Sequence, residues 1–233
     1  MEIDTDKPTT PIDIVRERIK TACDKYNRDV SDVTLIAVSK TRPASSIREL
    51  ASHGQKVFAE NYVQEGVGKV CELSDMQLNW HFIGHLQSNK SIEVAEHFTW
   101  VHSIDRLKIA LKLNKAAARF HPLNVLIQVK LDDEENKAGV GADCLSVLVE
   151  QISEMENLNL RGLMSIPKPE DDFKSQRHTF SRVKKLANTQ TDRGFTMDCL
   201  SMGMSNDLEA AIAEGATHIR IGTALFGPRD YNR

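Results

Sequence analysis

Strand-like runs and helical stripes alternate along almost the whole sequence, and this alternation limits the folds that the chain can adopt. The strand-like runs are short, apolar and rich in β-branched residues. Alternation of strands with helices is typical of a parallel sheet. Eight such runs occur, at residues 33–40, 56–61, 79–84, 100–104, 124–131, 160–166, 198–202 and 218–222.

The segments between the runs carry apolar residues at helical spacing. A further helix is predicted at residues 12–26, before the first strand. The long, charged segment at residues 171–190 predicts a solvated outer helix. The four clearest stripes consist of Ile47, Leu50 and Ala51; Leu107, Ala110, Leu111 and Leu113; Leu145, Leu148, Val149 and Ile152; and Leu208, Ala211 and Ile212.

The spacing of these units favours a closed barrel over a doubly wound open sheet. Seven intervals cover the 185 residues from Val33 to His218, or about 26 residues for each unit. A (β/α)8 barrel of about 250 residues needs about 30 for each unit. We therefore predict an α/β fold, a single (β/α)8 TIM barrel with an extra N-terminal helix. The prediction is one domain over residues 1–233, with its core at about 12–229.

Composition and charge exclude several classes of protein. Of the 233 residues, 40% are hydrophobic and 27% are charged, which excludes a disordered, collagen-like or coiled-coil chain. The net charge is −3, so neither nucleic acid nor an anionic membrane is expected as a partner. No apolar run approaches the roughly 18–20 residues of a membrane span. The polar, acidic first ten residues do not resemble a secretory signal.

The cysteines fit a protein of the reducing cytoplasm. They are far apart in the sequence and form no CxxC pair, so neither a zinc site nor a disulfide framework is indicated. We interpret them mostly as small core residues. The four are Cys23, Cys71, Cys144 and Cys199.

The active site of such a barrel lies at the C-terminal ends of its strands. Lys40 ends the first run, and alternation places it on the same inward face as Ile36 and Val38. Partial desolvation there disfavours the ammonium form and frees the amine as a nucleophile, which suits a Schiff base with an aldehyde. The alternative is a lysine that extends into solvent or pairs with a carboxylate.

The segments after the last two predicted strands together indicate an anion site. Ser205 or Asn206 is suited to cap the helix that follows the seventh strand. Gly222, at the end of the eighth strand, lets a ligand approach the backbone, and the N–H groups of Gly222 and Thr223 can face the same anion. Phosphate sites at this place are frequent in the fold. Capped helices and glycines at strand ends are each common, so neither feature alone predicts an anion site. The prediction depends on both features occurring together.

Arg220 lies inside the apolar last run. Burying a lone charge against the helices is costly, so we predict that this side chain points into the barrel, toward a ligand. The alternative is a structural salt bridge inside the barrel.

Six longer blocks carry a family resemblance, which extends from about Ile12 to Arg229. The blocks are residues 37–41 (AVSKT), 58–65 (FAENYVQE), 80–90 (WHFIGHLQSNK), 162–165 (GLMS), 200–207 (LSMGMSND) and 220–227 (RIGTALFG). In them the sequence resembles the pyridoxal 5′-phosphate (PLP) homeostasis proteins, also called PLP-binding proteins or the YggS/PROSC family. The third and fifth blocks are long and specific.

The resemblance implies a barrel like the N-terminal domain of alanine racemase, which is PLP fold type III. It also implies that PLP is bound covalently as an aldimine to Lys40, and that Arg220 faces the pyridine nitrogen.

The same match implies how the rest of the cofactor is held. Ser205 and the backbone of Gly222 and Thr223 would bind the phosphate. Asn61 and Met164 would line the ring. The resemblance implies neither a catalytic residue nor a metal ligand.

The family implies a role in intracellular PLP homeostasis, as a carrier, buffer or regulator of PLP supply without clear turnover. Such a role affects amino-acid and keto-acid metabolism, and apo PLP-dependent enzymes would be the recipients. The main alternative is a PLP-dependent enzyme such as an amino-acid racemase. A third possibility is a barrel enzyme without PLP that acts on a phosphorylated metabolite.

The residues favour a carrier over a racemase. A racemase needs a base on each face of the carbanion, and among the three tyrosines only Tyr62 is near the predicted mouth. The sequence ends at Arg233, soon after the last strand, so we expect neither the second domain of the racemases nor the dimer interface that it supplies, and we expect a monomer. An arginine at the pyridine nitrogen also weakens the ring as an electron sink.

Several other residues have both a functional and a purely structural interpretation. His81 and His85 invite a metal site, but no third ligand is near in sequence, so we expect hydrogen-bonding roles. Ser88 or Asn89 is predicted to cap a helix at the barrel mouth. Lys137, on the loop after the fifth strand, is either a second, transient PLP site or a solvated lysine.

Overall fold

The eight predicted strands form, and they close into one parallel barrel in chain order. A computed structural model describes residues 10–131 and 138–228 of the chain. The last strand pairs with the first, which confirms the predicted closed barrel. The strands are β1 (Thr34–Val38), β2 (Val57–Glu60), β3 (Asn79–Phe82), β4 (Trp100–Ile104), β5 (Leu123–Val129), β6 (Leu158–Ser165), β7 (Cys199–Ser201) and β8 (His218–Ile221).

Helices surround the barrel, and the predicted extra helix precedes the first strand. This helix begins with a capping box, in which Thr10 and Asp13 bond to each other's backbone, and with Pro11 at its first position. The helices are α1 (Pro11–Lys25), α2 (Ala44–Ser52), α3 (Val63–Glu72), α4 (Ser91–His97), α5 (Leu107–Ala117), α6 (Ala142–Ser153), α7 (Phe173–Asp192), α8 (Leu208–Ala213) and α9 (Thr223–Phe226).

Helix α3 lies where the predicted barrel requires a helix, but it is not among the clear apolar stripes of the sequence. Its sequence, VQEGVGKVCE, contains Gly66 and Gly68, which weaken a helical pattern. The helix forms because Val63, Gly66 and Lys69 are buried against the barrel. Tertiary packing therefore overrides a poor local propensity.

The long helix α7 is an outer helix, as predicted, but it is not fully solvated. Phe180, Val183, Ala187 and Gln190 form a buried face along it. The remaining, charged surface gives the segment its polar composition.

Alternation along the strands separates an outer core from the barrel interior. On β8, Ile219 and Ile221 belong to the large apolar core that the helices cover. Their neighbour Arg220 instead bonds to Ser165 and Ser201, on β6 and β7. A small separate cluster of buried apolar side chains, Leu126, Met164 and Cys199, packs with Trp100.

The prediction that the cysteines are mostly core residues is wrong for two of the four. Cys23 and Cys199 are buried, whereas Cys71 and Cys144 are exposed. Cys71 lies in the last turn of α3 and Cys144 in the first turn of α6, on faces turned away from the barrel.

Glycine at position 162 lets β6 and β7 approach each other. Gly162 has φ +150°, which side chains rarely adopt, and it pairs with Cys199. A Cβ atom at Gly162 would lie 1.9 Å from the carbonyl oxygen of Cys199. The close pairing of these two strands therefore requires glycine.

Gly162→Ala should lower the free energy of unfolding by more than about 3 kcal/mol, because it adds both a backbone strain and a clash. The matched control is Gly68→Ala, since a Cβ at Gly68 meets nothing within 4 Å. That change should be neutral or stabilise the protein by up to about 1 kcal/mol. Urea unfolding curves of both variants test this, and equal midpoints would contradict it.

Candidate functional site

Lys40 lies at the C-terminal end of the barrel, in the turn that follows β1, and is half-buried. The register pairs Ile36 of β1 with Arg220 of β8, whose side chain points into the barrel. The hydroxyl of Ser39 faces the other way, because it donates to the buried carboxylate of Glu60 at 2.6 Å. By alternation, Val38 at the end of β1 lies on the inward row with Ile36, and Lys40 follows it two residues later in the turn.

A buried ion cluster lies behind this turn. The Lys69 ammonium group, on α3, donates to Oε1 of Glu60 and Oε1 of Glu65, each at 2.7 Å. It also donates to the backbone carbonyl of Ser39 at 2.7 Å. A buried cation thus binds the residue immediately before Lys40.

The residue immediately after Lys40 is held by the same cluster. The backbone N–H of Thr41 donates to Oε1 of Glu65 at 2.5 Å. Thr41 has φ 63°, an uncommon conformation for a β-branched residue, so the hydrogen bond holds a strained turn. The positions on both sides of Lys40 are therefore fixed by charged groups of α3.

Glu60 is the least solvated member of the cluster. Burial raises the pKa of this carboxyl, although the Lys69 ammonium group opposes the shift. Its second oxygen, Oε2, has no hydrogen-bond partner among the described residues. The charge on Glu60 thus depends on Lys69.

Asn61 follows β2 and is half-buried. Its backbone is in tight contact with the loop that follows β3. A Cβ atom at Gly84 would lie 1.8 Å from the Asn61 carbonyl oxygen, so only glycine fits there. The carbonyl of Gly84 in turn accepts a 2.5 Å hydrogen bond from Ser103. This contact fixes Asn61 at the end of its strand.

Arg220 is buried inside the barrel, as predicted. Its guanidinium group donates to Oγ of Ser201 at 2.7 Å and to the carbonyl oxygen of Ser165 at 2.9 Å. Among residues 10–131 and 138–228, it forms no ion pair, so the salt-bridge alternative is wrong for this part of the chain. Burial lowers the pKa of Arg220 to about 10, and the Asp207 carboxylate opposes this shift. The guanidinium is therefore charged at neutral pH.

Met164 shares the barrel interior with Arg220. It is fully buried on β6 and pairs in register with Gln128 and Ser201. Both Met164 and Ser201 belong to the inward rows of their strands, because Ser201 contacts Arg220.

Ser205 is half-buried in the turn between β7 and α8, but neither it nor Asn206 caps the helix. That prediction is wrong, because the turn continues to Asp207, which occupies the N-cap position. The carboxylate of Asp207 reaches back to accept from the backbone N–H of Met204 at 2.5 Å. Burial raises the pKa of the Asp207 carboxyl.

The extra helix α1 holds the turn at Ser205 from outside. The guanidinium of Arg18 donates to the Ser205 carbonyl at 2.9 Å and pairs with the Glu209 carboxylate at 2.8 Å. The sequence patterns did not assign Arg18 any role. Its role depends on the packing of α1 beside α8, which no local sequence pattern specifies.

The residues after β8 form a neighbouring turn. Gly222 is the N-cap of α9 and a Cβ atom there would lie 3.7 Å from Cβ of Val38. Thr223, the first residue of α9, is exposed. The first N–H groups of a helix have no acceptor within it, so those of α9 are available to a ligand. The predicted residues of β1 and β8 are therefore brought to one end of the barrel.

The histidines have different environments. His85 is exposed, with Nδ1 3.9 Å from Asp105. His81 is buried inside the barrel and its Nδ1 lies 2.9 Å from Nε2 of His102. Within the described residues, no group of three His, Cys, Asp or Glu side chains has the arrangement of a metal site.

The cap predicted at Ser88 or Asn89 is wrong. Residues Ser88–Lys90 form a short 3-10 turn, and α4 begins at Ser91 after Lys90. The Ser91 hydroxyl donates back to the Ser88 carbonyl at 3.0 Å, which joins the turn to the helix.

Several residues of the site were not predicted from the sequence. Lys69 and Glu65 were missed because no apolar stripe marks which face of α3 is buried. His102 and Ser201 could have been found as polar residues at inward positions of apolar strands. Lys137 lies outside the described residues.

None of the described helices has the length and apolar character needed to cross a bilayer.

Comparisons with known proteins agree with this fold. The sequence model of the alanine racemase N-terminal domain family matches residues 13–230. A pyridoxal phosphate homeostasis protein of Pseudomonas aeruginosa is 51% identical over 218 residues, which cover 93% of this chain and 94% of the relative.

Solved structures give the same result. PipY of Synechococcus elongatus, determined with PLP bound, has a TM-score of 0.81 and is 38% identical, covering 91% of this chain and 100% of that chain. Alanine racemase from Corynebacterium glutamicum has a TM-score of 0.66 at 12% identity, covering 95% of this chain and 62% of the racemase. This second likeness concerns the fold alone.

Lys69→Met should lower the free energy of unfolding by about 3–5 kcal/mol at neutral pH, because Glu60 then keeps a buried charge without a cation. A carboxyl whose pKa is raised on folding favours the folded state at low pH and loses that contribution as pH rises through the folded pKa. The destabilisation should therefore be smaller at about pH 5 than at about pH 8.

The measurement is urea unfolding of the variant and the parent protein at both pH values. Arg48→Met is the matched control, since it removes an exposed cation from Asp75 on the same side of the barrel, and its midpoint should barely move. Equal losses at the two pH values would contradict the assignment of the effect to Glu60.

Proposed function

Because this chain belongs to the family of pyridoxal phosphate homeostasis proteins, which is built on the alanine racemase N-terminal domain, we propose that it binds PLP and serves intracellular PLP homeostasis. It carries, buffers or regulates the cofactor, and apo PLP-dependent enzymes are its recipients. The observation that carries this proposal is the buried Arg220 cation, which faces the barrel interior and, among the described residues, donates to the neutral groups of Ser201 and Ser165. A cation held in this way suits a ligand that brings an electron-rich nitrogen.

Lys40 is the residue that binds the cofactor covalently. Its ε-amino nitrogen would be the nucleophile toward the aldehyde carbon of PLP, with water as the leaving group. The half-buried position at the end of β1 supports this role, because it places Lys40 at the C-terminal mouth of the barrel, where ligands of this fold bind. The ion cluster at Glu60, Lys69 and Glu65 keeps the turn around Lys40 in one conformation.

The phosphate lies between the turns after β7 and β8. The hydroxyl of Ser205 and the backbone N–H groups of Gly222 and Thr223 hold it. The turn after β7 is bound directly to β8, just before the second turn, because the backbone N–H of Arg220 donates to the carbonyl of Gly203 at 3.0 Å. Oriented backbone N–H groups at the start of a helix suit an anion.

The ring of PLP lies inside the mouth of the barrel. Arg220 faces the pyridine nitrogen, and Asn61 and Met164 line the ring. The fixed backbone of Asn61 and the fully buried position of Met164 support this placement, since both give a rigid wall.

The protein binds PLP without turnover. Arg220 remains charged at neutral pH and keeps the pyridine nitrogen unprotonated, which weakens the ring as an electron sink. Tyr62, the tyrosine nearest to the predicted mouth in sequence, is 57% exposed and offers no shielded base. We further propose that the working unit is a cytoplasmic monomer with a single domain, its core at about residues 12–229.

Lys40→Ala should abolish the absorbance of the covalent PLP adduct while the protein stays folded. Lys56→Ala is the matched control, because Lys56 is exposed at the opposite end of the barrel, before β2. Borohydride reduction followed by peptide mapping should place the pyridoxyl group on Lys40. Its recovery only on another lysine would refute the covalent assignment.

Pyridoxal, which lacks the phosphate, should bind far more weakly than PLP. Ser205→Ala should weaken PLP binding by about 1 kcal/mol, because one hydrogen bond is lost and the backbone N–H groups remain. Titration by absorbance gives both affinities. Equal affinities for pyridoxal and PLP would mean that these turns hold no phosphate.

The PLP-loaded protein should neither racemise nor decarboxylate amino acids. The assay is incubation with L- and D-alanine, serine and ornithine in deuterated water, followed by NMR and chiral chromatography. A rate at or above about 1 s⁻¹, the low end of ordinary enzymes, would favour the racemase alternative. Lys40→Ala serves as the control for background exchange by free PLP.

A further inference from the structure

A chain of hydrogen bonds runs through the barrel interior from Arg220 to a pair of buried histidines. Arg220 donates to Oγ of Ser201 at 2.7 Å. The same oxygen lies 2.8 Å from Nδ1 of His102, and Nε2 of His102 lies 2.9 Å from Nδ1 of His81. Three side chains on β7, β4 and β3 thus connect the guanidinium to the far side of the barrel.

The direction of donation along these hydrogen bonds follows from the number of polar groups that each direction would leave without a partner. A guanidinium can only donate, so Ser201 accepts from Arg220 and has its own proton left for Nδ1 of His102. His102 then carries its proton on Nε2 and donates to Nδ1 of His81. In this direction the single unsatisfied group is the Nε2–H of His81, which indeed has no partner among the described residues. The reverse direction would also leave the Ser201 proton unpaired.

The members of the chain are neutral. Burial lowers the pKa of His81 and of His102 well below the usual value, and for His102 the neighbouring Arg220 guanidinium acts in the same direction. Neutral dipoles lower the cost of burying a charge without cancelling it, whereas a carboxylate would cancel it. The charge of Arg220 is therefore preserved inside the barrel.

We propose that Ser201, His102 and His81 form a positioning chain for Arg220. The chain orients the guanidinium and keeps its positive charge available to the pyridine nitrogen of PLP. This inference rests on the proposed PLP binding at Arg220. It assigns a function to two buried histidines that the proposed PLP site does not use.

The first test needs neither a variant nor PLP. NMR of the apo-protein with ¹⁵N-labelled histidine should show His102 and His81 as neutral Nε2–H tautomers between about pH 5.5 and 8. Protonation of either ring within this range, or a His102 ring that carries its proton on Nδ1, would overturn the proposed chain. In Ser201→Ala, the His102 ring should lose its fixed tautomer.

The second test measures PLP binding by absorbance titration. Ser201→Ala and His102→Phe should each raise the Kd by about tenfold, because the guanidinium loses a charge-assisted hydrogen bond or its orientation. They should also shift the absorbance maximum of bound PLP, since the protonation of the pyridine nitrogen changes. A merely structural defect would not produce this spectral shift.

His218→Gln is the matched control. His218 contacts the rings of His81, His102 and Trp100, but its Nδ1 pairs with Thr217 at 2.9 Å and lies outside the chain. Its Kd should change less than about twofold. Equal effects of Ser201→Ala and His218→Gln would overturn the inference. Failure of the parent protein to bind PLP would instead refute the proposed function, which keeps the two outcomes distinct.

Discussion

The pairing of β8 with β1 is the contact on which the rest of the structure depends. It closes the barrel and sets Ile36 opposite Arg220, so that the inward rows of the first and last strands coincide. A shift of one residue would turn Arg220 toward the helices, where its charge would have no partner. The same pairing brings Gly222 beside Val38 and places the turns of Lys40 and Thr223 at one end.

Two cations that are buried in the described part of the chain are stabilised in different ways. Lys69 lies between the carboxylates of Glu60 and Glu65, and its charge is neutralised while it holds the turn around Lys40. Arg220 is bound by a hydroxyl and a carbonyl oxygen, which leave its charge intact. The neutralised charge of Lys69 suits a structural role. The intact charge of Arg220 suits the binding of a ligand on which a positive charge acts.

Much of the fold was predictable because strands and most helices carry local periodic signals. The eight strands were predicted within a few residues, and so was the inward direction of Arg220, since a buried lone charge has few places to lie. Helix α3 was implied by the barrel, but it has no clear stripe of its own, because two glycines weaken its pattern and its burial comes from the barrel. The cluster at Lys69 was not predicted for the same reason. The cap at Asp207 was misplaced because a turn's length is set by its tertiary contacts, here with Met204.

The sequence by itself determined the barrel, the order of its strands, and the end of it at which Lys40 and Gly222 would meet. Those properties follow from alternation and from the rule that parallel strands end at one edge. Only the tertiary structure decided what surrounds each charge. His81, His102 and Ser201 lie on three strands far apart in the chain, and their hydrogen bonds depend on barrel stagger and side-chain rotamers. No local pattern encodes such distances, because they arise only when the sheet closes.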